Sequence, residues 1–299
     1  IGRHLIRKLT KNNIRVTVVT RNIHQKSYII KTQANAGFLE IVEAKIYEEK
    51  KIRELFKNAD ICINLIGVLF EKKGSTFHNI HTLFPAALAK LSKEYNLKNF
   101  VHVSALGINE AKDSNYAKSK EEGEENIINN FKYSTILRPS VIYSVDDNFT
   151  TNLMTLLNLL PFFPLYYNGK TKFSPIHVSD MSEIISYIID KSICSEIIEC
   201  AGPEVMTFKE IIEKLLNLIG KKRMLISLPI SIAKSMAFFL EKIPKPLLTR
   251  DQLKLLKYDN VLSNSNKSNI DIGIHPKRKF TDEVKKYSYM WKEGGEYSK

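Results

Sequence analysis

The sequence predicts a doubly wound α/β fold built on a parallel sheet, followed by a smaller, mostly helical region. Three observations predict it: short apolar runs recur along the first two thirds of the chain, helical patterns lie between them, and after Pro203 the pattern turns almost wholly helical. Strands that alternate with helices call for right-handed crossovers and a parallel sheet covered on both faces.

The elements come in order. Gly2 precedes a helical pattern with Leu5, Ile6 and Leu9 on one face, and Ile14 to Thr20 then reads as a buried strand. Further strands are expected at Leu39 to Val42, Ile61 to Ile66, Phe100 to Ser104 and Ser134 to Leu137. Ser174 to Ile176 and Ile197 to Cys200 are expected to extend the same sheet. Helices are expected at Phe208 to Ile219, Ile230 to Glu241 and Arg250 to Lys257, divided by Gly220, Pro229, Pro244 and Pro246. Because a helix comes before the first strand, a further strand, central in this architecture, is expected just upstream of Ile1, about ten residues with its turn.

The bulk composition narrows the function classes. With 299 residues, 43% hydrophobic and 26% charged, the chain has enough apolar material for one or two packed domains, so disorder does not dominate. The formal charge of +13 favours acidic partners, but the lysines are spread over the whole length without basic blocks interleaved with aromatics, so no nucleic acid is expected. Cys62, Cys194 and Cys200 form neither a disulfide framework nor a metal pair, which fits a reducing, cytoplasmic setting. The two most apolar stretches, Leu153 to Tyr167 and Leu225 to Leu240, are interrupted by Asn158, Pro161 and Pro164 and by Pro229 and Lys234. Both fall short of the roughly 20 apolar residues of a membrane-spanning helix. ISLPISIAKSMAFFLEKIP is expected to be an amphipathic helix buried against the rest of the chain, with a membrane surface or partner subunit as the alternative.

Candidate ligand-binding residues gather where strands end. Gly2 suits the last glycine of a G-x-x-G-x-x-G turn, with free amides at the helix start facing a pyrophosphate. After the following strand come Thr20, Arg21 and Asn22, with no acid; an arginine there suits a 2′-phosphate, so NADP(H) is favoured over NAD(H). The strand DICINLIGV ends in Asn64, Leu65, Ile66 and Gly67, where a bare backbone admits a cofactor.

Downstream, NFVHVSALG delivers Ser104 to a strand end, and Tyr116 and Lys120 follow four apart on one helical face. A lysine beside a phenol is expected to lower the phenol's pKa, with Ser104 orienting the reacting oxygen. The spacing also occurs at Tyr47 and Lys51, Tyr166 and Lys170, and Tyr187 and Lys191, but only Tyr116 follows a strand ending in serine. His78 and His81 lie three apart without a third ligand of suitable spacing, so no metal is expected and packing or surface roles are. His177 is expected to position the chain rather than to act as a base.

Together, Gly2, VHVSALG, YAKSK with Gly123 and Glu124, and ILRPSVIY resemble the extended short-chain dehydrogenase/reductase superfamily, whose domain is of the Rossmann type. The pieces RPSVIYSVDDNF, PIHVSD, LTRDQLKLLKYDNV and DIGIHP resemble its atypical branch, the NAD(P)H-binding accessory subunits of respiratory complex I and their bacterial relatives. The resemblance covers nearly the whole chain. It implies a dinucleotide-binding domain over residues 1–202 and a smaller region over 203–299. It implies contacts from Gly2, Arg21, Asn22, Lys45, Leu65, Ile66, Gly67, Tyr116, Lys120, Pro139, Val141 and Ile142, with the stretch after Arg138 and Pro139 along the nicotinamide. Where such relatives carry an acid near the adenine this chain has Lys45, and Ser144 stands where glycine is common.

Three readings result. The leading one is a protein that holds NADP(H) structurally and associates with complex I, cytoplasmic or peripheral on the inner face of the respiratory membrane, the mitochondrial matrix in a eukaryote. The second is an active reductase, epimerase or dehydratase on a sugar-nucleotide-like substrate, with Tyr116 as acid/base, Lys120 tuning it and Ser104 orienting. The third is an interaction module that has lost its ligand, for which Lys45 is the hint.

Overall fold

A computed structural model describes residues 1–244 and 246–295. Its elements run, in chain order, α1 Gly2–Lys11, β1 Val16–Thr20, α2 Ile23–Lys31, β2 Leu39–Glu43, α3 Glu49–Phe56, β3 Ile61–Asn64, α4 Phe84–Glu94, β4 Asn99–Val103, α5 Asn115–Asn130 and β5 Ser134–Pro139. Next are β6 Ile142–Tyr143, α6 Thr150–Leu159, β7 Phe162–Leu165, β8 Lys172–Phe173, β9 Ile176–His177, α7 Val178–Asp190 and β10 Glu196–Cys200. The last are β11 Met206–Thr207, α8 Phe208–Ile219, β12 Met224–Ser227, α9 Ile230–Leu240, α10 Arg250–Leu255, β13 Lys267–Ser268 and α11 Phe280–Ser288. A π-helical stretch, His78–Leu83, leads into α4.

The chain divides into two compact units. Unit 1 comprises Ile1–Ser104, Ser119–Leu137 and Met181–Ile198; unit 2 comprises Ala105–Lys118, Arg138–Asp180 and Glu199–Lys299.

In unit 1, β3, β4 and β5 are parallel, Ile61 standing opposite Asn99 and Phe100 opposite Ser134, and β10 lies beside β5. Every residue of β4 and β5 is buried, which is why NFVHV and STILRP read as continuous runs rather than alternating ones. β1 and β2 form their own parallel pair, Val16 opposite Leu39, and no ladder joins β1 to β3 among the described residues. Phe100, Ile127 and Phe131 pack with Ile52, Phe56, Leu88 and Leu91 as the core.

In unit 2 the clearest local code is at α8. Thr207 caps the helix reciprocally with Glu210, the buried stripe Phe208, Ile211, Ile212, Leu215, Leu216 and Ile219 follows the helical period, and Gly220 ends it at φ +66°. That stripe joins Tyr143, Met154, Leu157, Phe280 and Val284 in the second core. The strand expected near Ser174 to Ile176 is short and does not extend the main sheet: β9 pairs with β6, Ile142 opposite Ile176. The close approach behind it is made by Gly202, where a Cβ would lie 1.8 Å from the Pro175 carbonyl oxygen.

The helix expected to bury its apolar face does so only in part. α9 packs through Ala233 and Ala237 against Tyr166 and Leu253, and its larger side chains Ile232 and Phe239 remain 49% and 68% exposed. Small residues allow the close approach, and they leave the large ones on the outer side. Among the described residues no helix is long and apolar enough to cross a membrane.

Candidate functional site

The site begins where β3 ends. α1 starts at Gly2 with no side-chain cap from Ile1 and no acidic residue in its first turn. A Cβ on Gly2 would stand 3.8 Å from Leu65 Cδ1, which places the helix start against the carboxyl end of β3. Two buried side chains then fix the backbone of the adjoining loop. Asn64 Oδ1 accepts from the Ile66 N–H at 3.0 Å, and His81 Nε2 accepts from the Val68 N–H at 3.1 Å. Ile66 and Gly67 are thereby presented to solvent on a pinned loop.

These bonds also settle the ring protons. Because Nε2 of His81 accepts, its proton resides on Nδ1 and is donated to Ser119 Oγ at 3.0 Å. Burial, together with the nearby Lys120 charge, lowers the His81 pKa to about 3, so the ring is neutral. His78 is exposed, 3.9 Å from Glu122. Among the described residues no cluster of three His, Cys, Asp or Glu side chains is placed to hold a metal.

Lys120 lies beneath the loop. Its side chain is buried, its ammonium donates to the Val103 carbonyl at 3.1 Å, and its Nζ is 3.5 Å from where a Gly67 Cβ would be. Burial lowers its pKa to about 8, and the buried Glu124 opposes that shift.

Beside it, Ser104 closes β4, its N–H bonded to Leu137 O at 2.7 Å, and its buried hydroxyl has no hydrogen-bond partner among the described residues. His102 is similar. Its Nδ1 accepts from the Asn64 amide at 3.1 Å, which puts its proton on Nε2, a buried atom also without a partner among the described residues. An unmade buried hydrogen bond costs about 1–3 kcal/mol, so two of them at one strand end fit a site completed by a polar ligand or water.

Tyr116 belongs to unit 2. The first turn of its helix is held by Asp251, whose carboxylate accepts from Ser114 Oγ at 2.7 Å, the Asn115 N–H at 2.8 Å and the Tyr116 N–H at 3.0 Å. The phenol is half-buried, and burial pushes its pKa up to about 12. This corrects the expectation that Lys120 lowers it: the lysine is itself buried and bonded to Val103, and desolvation governs both groups.

Pro139 is buried and Val141 and Ile142 half-buried. Asn260 holds that segment, accepting from Ser140 Oγ at 2.6 Å and the Val141 N–H at 3.2 Å, and donating to Leu106 O at 2.7 Å. His177 packs edge-on to Tyr143, with ring centroids 5.2 Å apart.

The structure therefore brings Gly2, Leu65, Ile66 and Gly67 to one rim, with Lys120 directly beneath Gly67. Arg21, Asn22 and Lys45 are exposed at the ends of β1 and β2. Asn22 donates to Gln25 at 3.1 Å, and Lys45 places its ammonium 5.8 Å from the Tyr47 ring centroid. Sequence reasoning missed Asn64, His102 and Ser119 as supports. Asp251 and Asn260 lie in LTRDQLKLLKYDNV, where the sequence alone ties neither to a role, and Asn64 is signalled only by its place at the strand end.

The mitochondrial NADH-ubiquinone oxidoreductase 40 kDa subunit of Neurospora crassa is 26% identical over 279 residues, 92% of this chain and 73% of that protein. The mitochondrial NADH dehydrogenase [ubiquinone] 1 alpha subcomplex subunit 9 of Arabidopsis thaliana is 27% identical over 288 residues, 92% of this chain and 72% of that protein. In fold, the chain is similar to the UDP-glucuronic acid 4-epimerase of Bacillus cereus, solved with UDP-glucuronic acid and NAD, at a TM-score of 0.70 and 18% identity, covering 97% of this chain and 96% of that one. The model of the NAD(P)H-binding family matches residues 1–158, more than half of the sequence, and the chain belongs to that family.

Proposed function

We propose that this chain holds NADP(H) and serves as an accessory subunit of respiratory NADH dehydrogenase, complex I. The observation that carries the holding role is the position of Lys120, a buried prop bonded to the Val103 carbonyl under Gly67. A phenol kept near 12 by burial is poorly matched to acid/base work near neutral pH, where an efficient catalytic group titrates. When bound, the nicotinamide supplies hydride chemistry, and the protein's share is to bind and orient it. Gly2 and the N-terminal end of α1 would hold the pyrophosphate, Arg21 the 2′-phosphate, and Leu65 to Gly67 a bare backbone edge. Ser104 and Tyr116 would face the nicotinamide, with Pro139, Val141 and Ile142 along it. The partner assignment is supported by similarity to the two complex I subunits over 92% of this chain.

The test is direct. Full-length protein purified from its source is denatured and its released nucleotide identified, and NADPH and NADH affinities are measured by calorimetry. NADPH in the extract, with the tighter affinity, is expected; no dinucleotide and no affinity for either would end the holding role. Co-purification of respiratory NADH dehydrogenase subunits from the same membranes is expected, and their absence would end the partnership.

A further inference from the structure

We infer that α9 is a docking face for an anionic lipid surface. The helix is built inside out for a soluble packing element: Ala233 and Ala237 face Tyr166 and Leu253, while Ile232, Phe238 and Phe239 are exposed. Nothing acidic occurs between Ile230 and Leu240, and exposed Lys234 and Lys242 flank the apolar residues. Lys242 Nζ lies 4.1 Å from the Phe238 ring centroid, so cation and aromatic already share one patch. Large apolar side chains beside lysines on a single helix are the pattern of helices that lie in a membrane interface, where the rings enter the acyl boundary and the ammonium groups meet phosphates.

The neighbouring strand supplies more positive charge. β12, which feeds α9 through Leu228 and Pro229, borders a cavity of about 620 Å³ walled by Lys209, Lys221, Lys222 and Arg223; Lys209 pairs with Glu213 at 3.7 Å and Lys221 with Glu293 at 3.1 Å, so the surplus positive charge there comes from Lys222 and Arg223. Charge complementarity thus selects an anionic bilayer over a neutral one. A partner protein or a second copy of the chain would find the same patch, but neither is called for by the cations around it. The inference is independent of the cofactor, because every residue it uses lies outside the nucleotide site.

The experiment is flotation of the full chain with vesicles of phosphatidylcholine alone and of equimolar phosphatidylcholine and phosphatidylglycerol. Binding to the anionic vesicles, weakened by salt, is expected. The paired change Ile232→Gln and Phe239→Gln leaves the net charge unaltered at two exposed positions. It is expected to lower the partition at least about tenfold with the melting temperature and NADPH affinity unchanged. A second pair, Lys234→Gln and Lys242→Gln, is expected to reduce the preference for anionic vesicles. Equal partition of parent and the first pair would assign binding to diffuse charge and overturn the inference, as would no partition at all. Self-association abolished by the first pair, without vesicle binding, would assign the face to a second copy and likewise overturn it.

Discussion

Lys120 Nζ stands 3.5 Å from the point where a side chain on Gly67 would begin, so the barest residue of the rim rests on a buried cation. That distance is ordinary van der Waals contact, and Gly67 is not held at positive φ, so an added methyl neither overlaps the lysine nor strains the backbone. Gly67→Ala is expected to fold with stability unchanged or raised by about 0.4–1 kcal/mol. The methyl would lie against the Lys120 ammonium and the His81 ring that support the rim, so calorimetry should show weaker NADPH binding in a protein that melts no earlier. Unaltered affinity would place the nucleotide elsewhere.

The lysine has a measurable pH signature. Its native pKa, near 8, lies below the unfolded value of about 10.5, so between these limits the unfolded chain binds more protons and the side chain adds stability as pH rises. Below pH 8 the cost of burying its charge is fully present. Parent protein should gain about 1–2 kcal/mol relative to Lys120→Met between about pH 7.5 and 9.5 by denaturant unfolding. Tyr116 works oppositely and outside that window: with its native pKa near 12, the unfolded phenol ionises first above about pH 10 and stability then falls. Parallel pH profiles for parent and variant would show that Lys120 is not buried as a cation.

Gly123 explains why the helix after YAKSK needs a glycine. A Cβ there would lie 1.9 Å from the His81 carbonyl oxygen, on the π-helical stretch that packs against α5. Gly123→Ala must push the two apart, at a cost of about 3 kcal/mol or more in the unfolding free energy. Because the His81 ring also holds the Val68 N–H, the displacement is expected to loosen the Leu65 to Val68 loop and weaken nucleotide binding. A stable variant with normal affinity would separate this packing from the site.

The strands and the rim were legible because their signals are local. NFVHV and STILRP are buried on both faces and so read as apolar runs, and Gly67 announces itself at a strand end. The supports were hidden because they join distant residues: Asn64 with His102, His81 with Ser119, Ser114 with Asp251. No periodicity encodes a bond across 38 or 137 residues. The Tyr116 pKa was misread for a related reason, since four-residue spacing fixes a shared helical face but says nothing of desolvation.

Arg21 is exposed beyond β1, where a guanidinium can meet a 2′-phosphate through two parallel hydrogen bonds. Arg21→Ala is expected to weaken NADPH binding about tenfold and leave NADH nearly untouched, because only the former carries the phosphate. Calorimetric titration of both nucleotides against both proteins gives the ratio. An equal loss for the two would remove Arg21 from phosphate recognition.

Asp251 is the residue through which the C-terminal region reaches Tyr116. Its carboxylate gathers three donors, the Ser114 hydroxyl and the amides of Asn115 and Tyr116, at the positive end of α5. In Asp251→Asn one oxygen becomes an NH2 group that cannot accept, so at least one donor loses its partner and the charge facing the helix end disappears. A loss of about 1–2 kcal/mol is expected in denaturant unfolding, and the amides of Asn115 and Tyr116 should exchange faster than those deeper in α5. If nucleotide affinity falls with them, the LTRD segment serves the ligand by setting the start of the tyrosine helix; unchanged exchange at both amides would show that α5 does not depend on this cap.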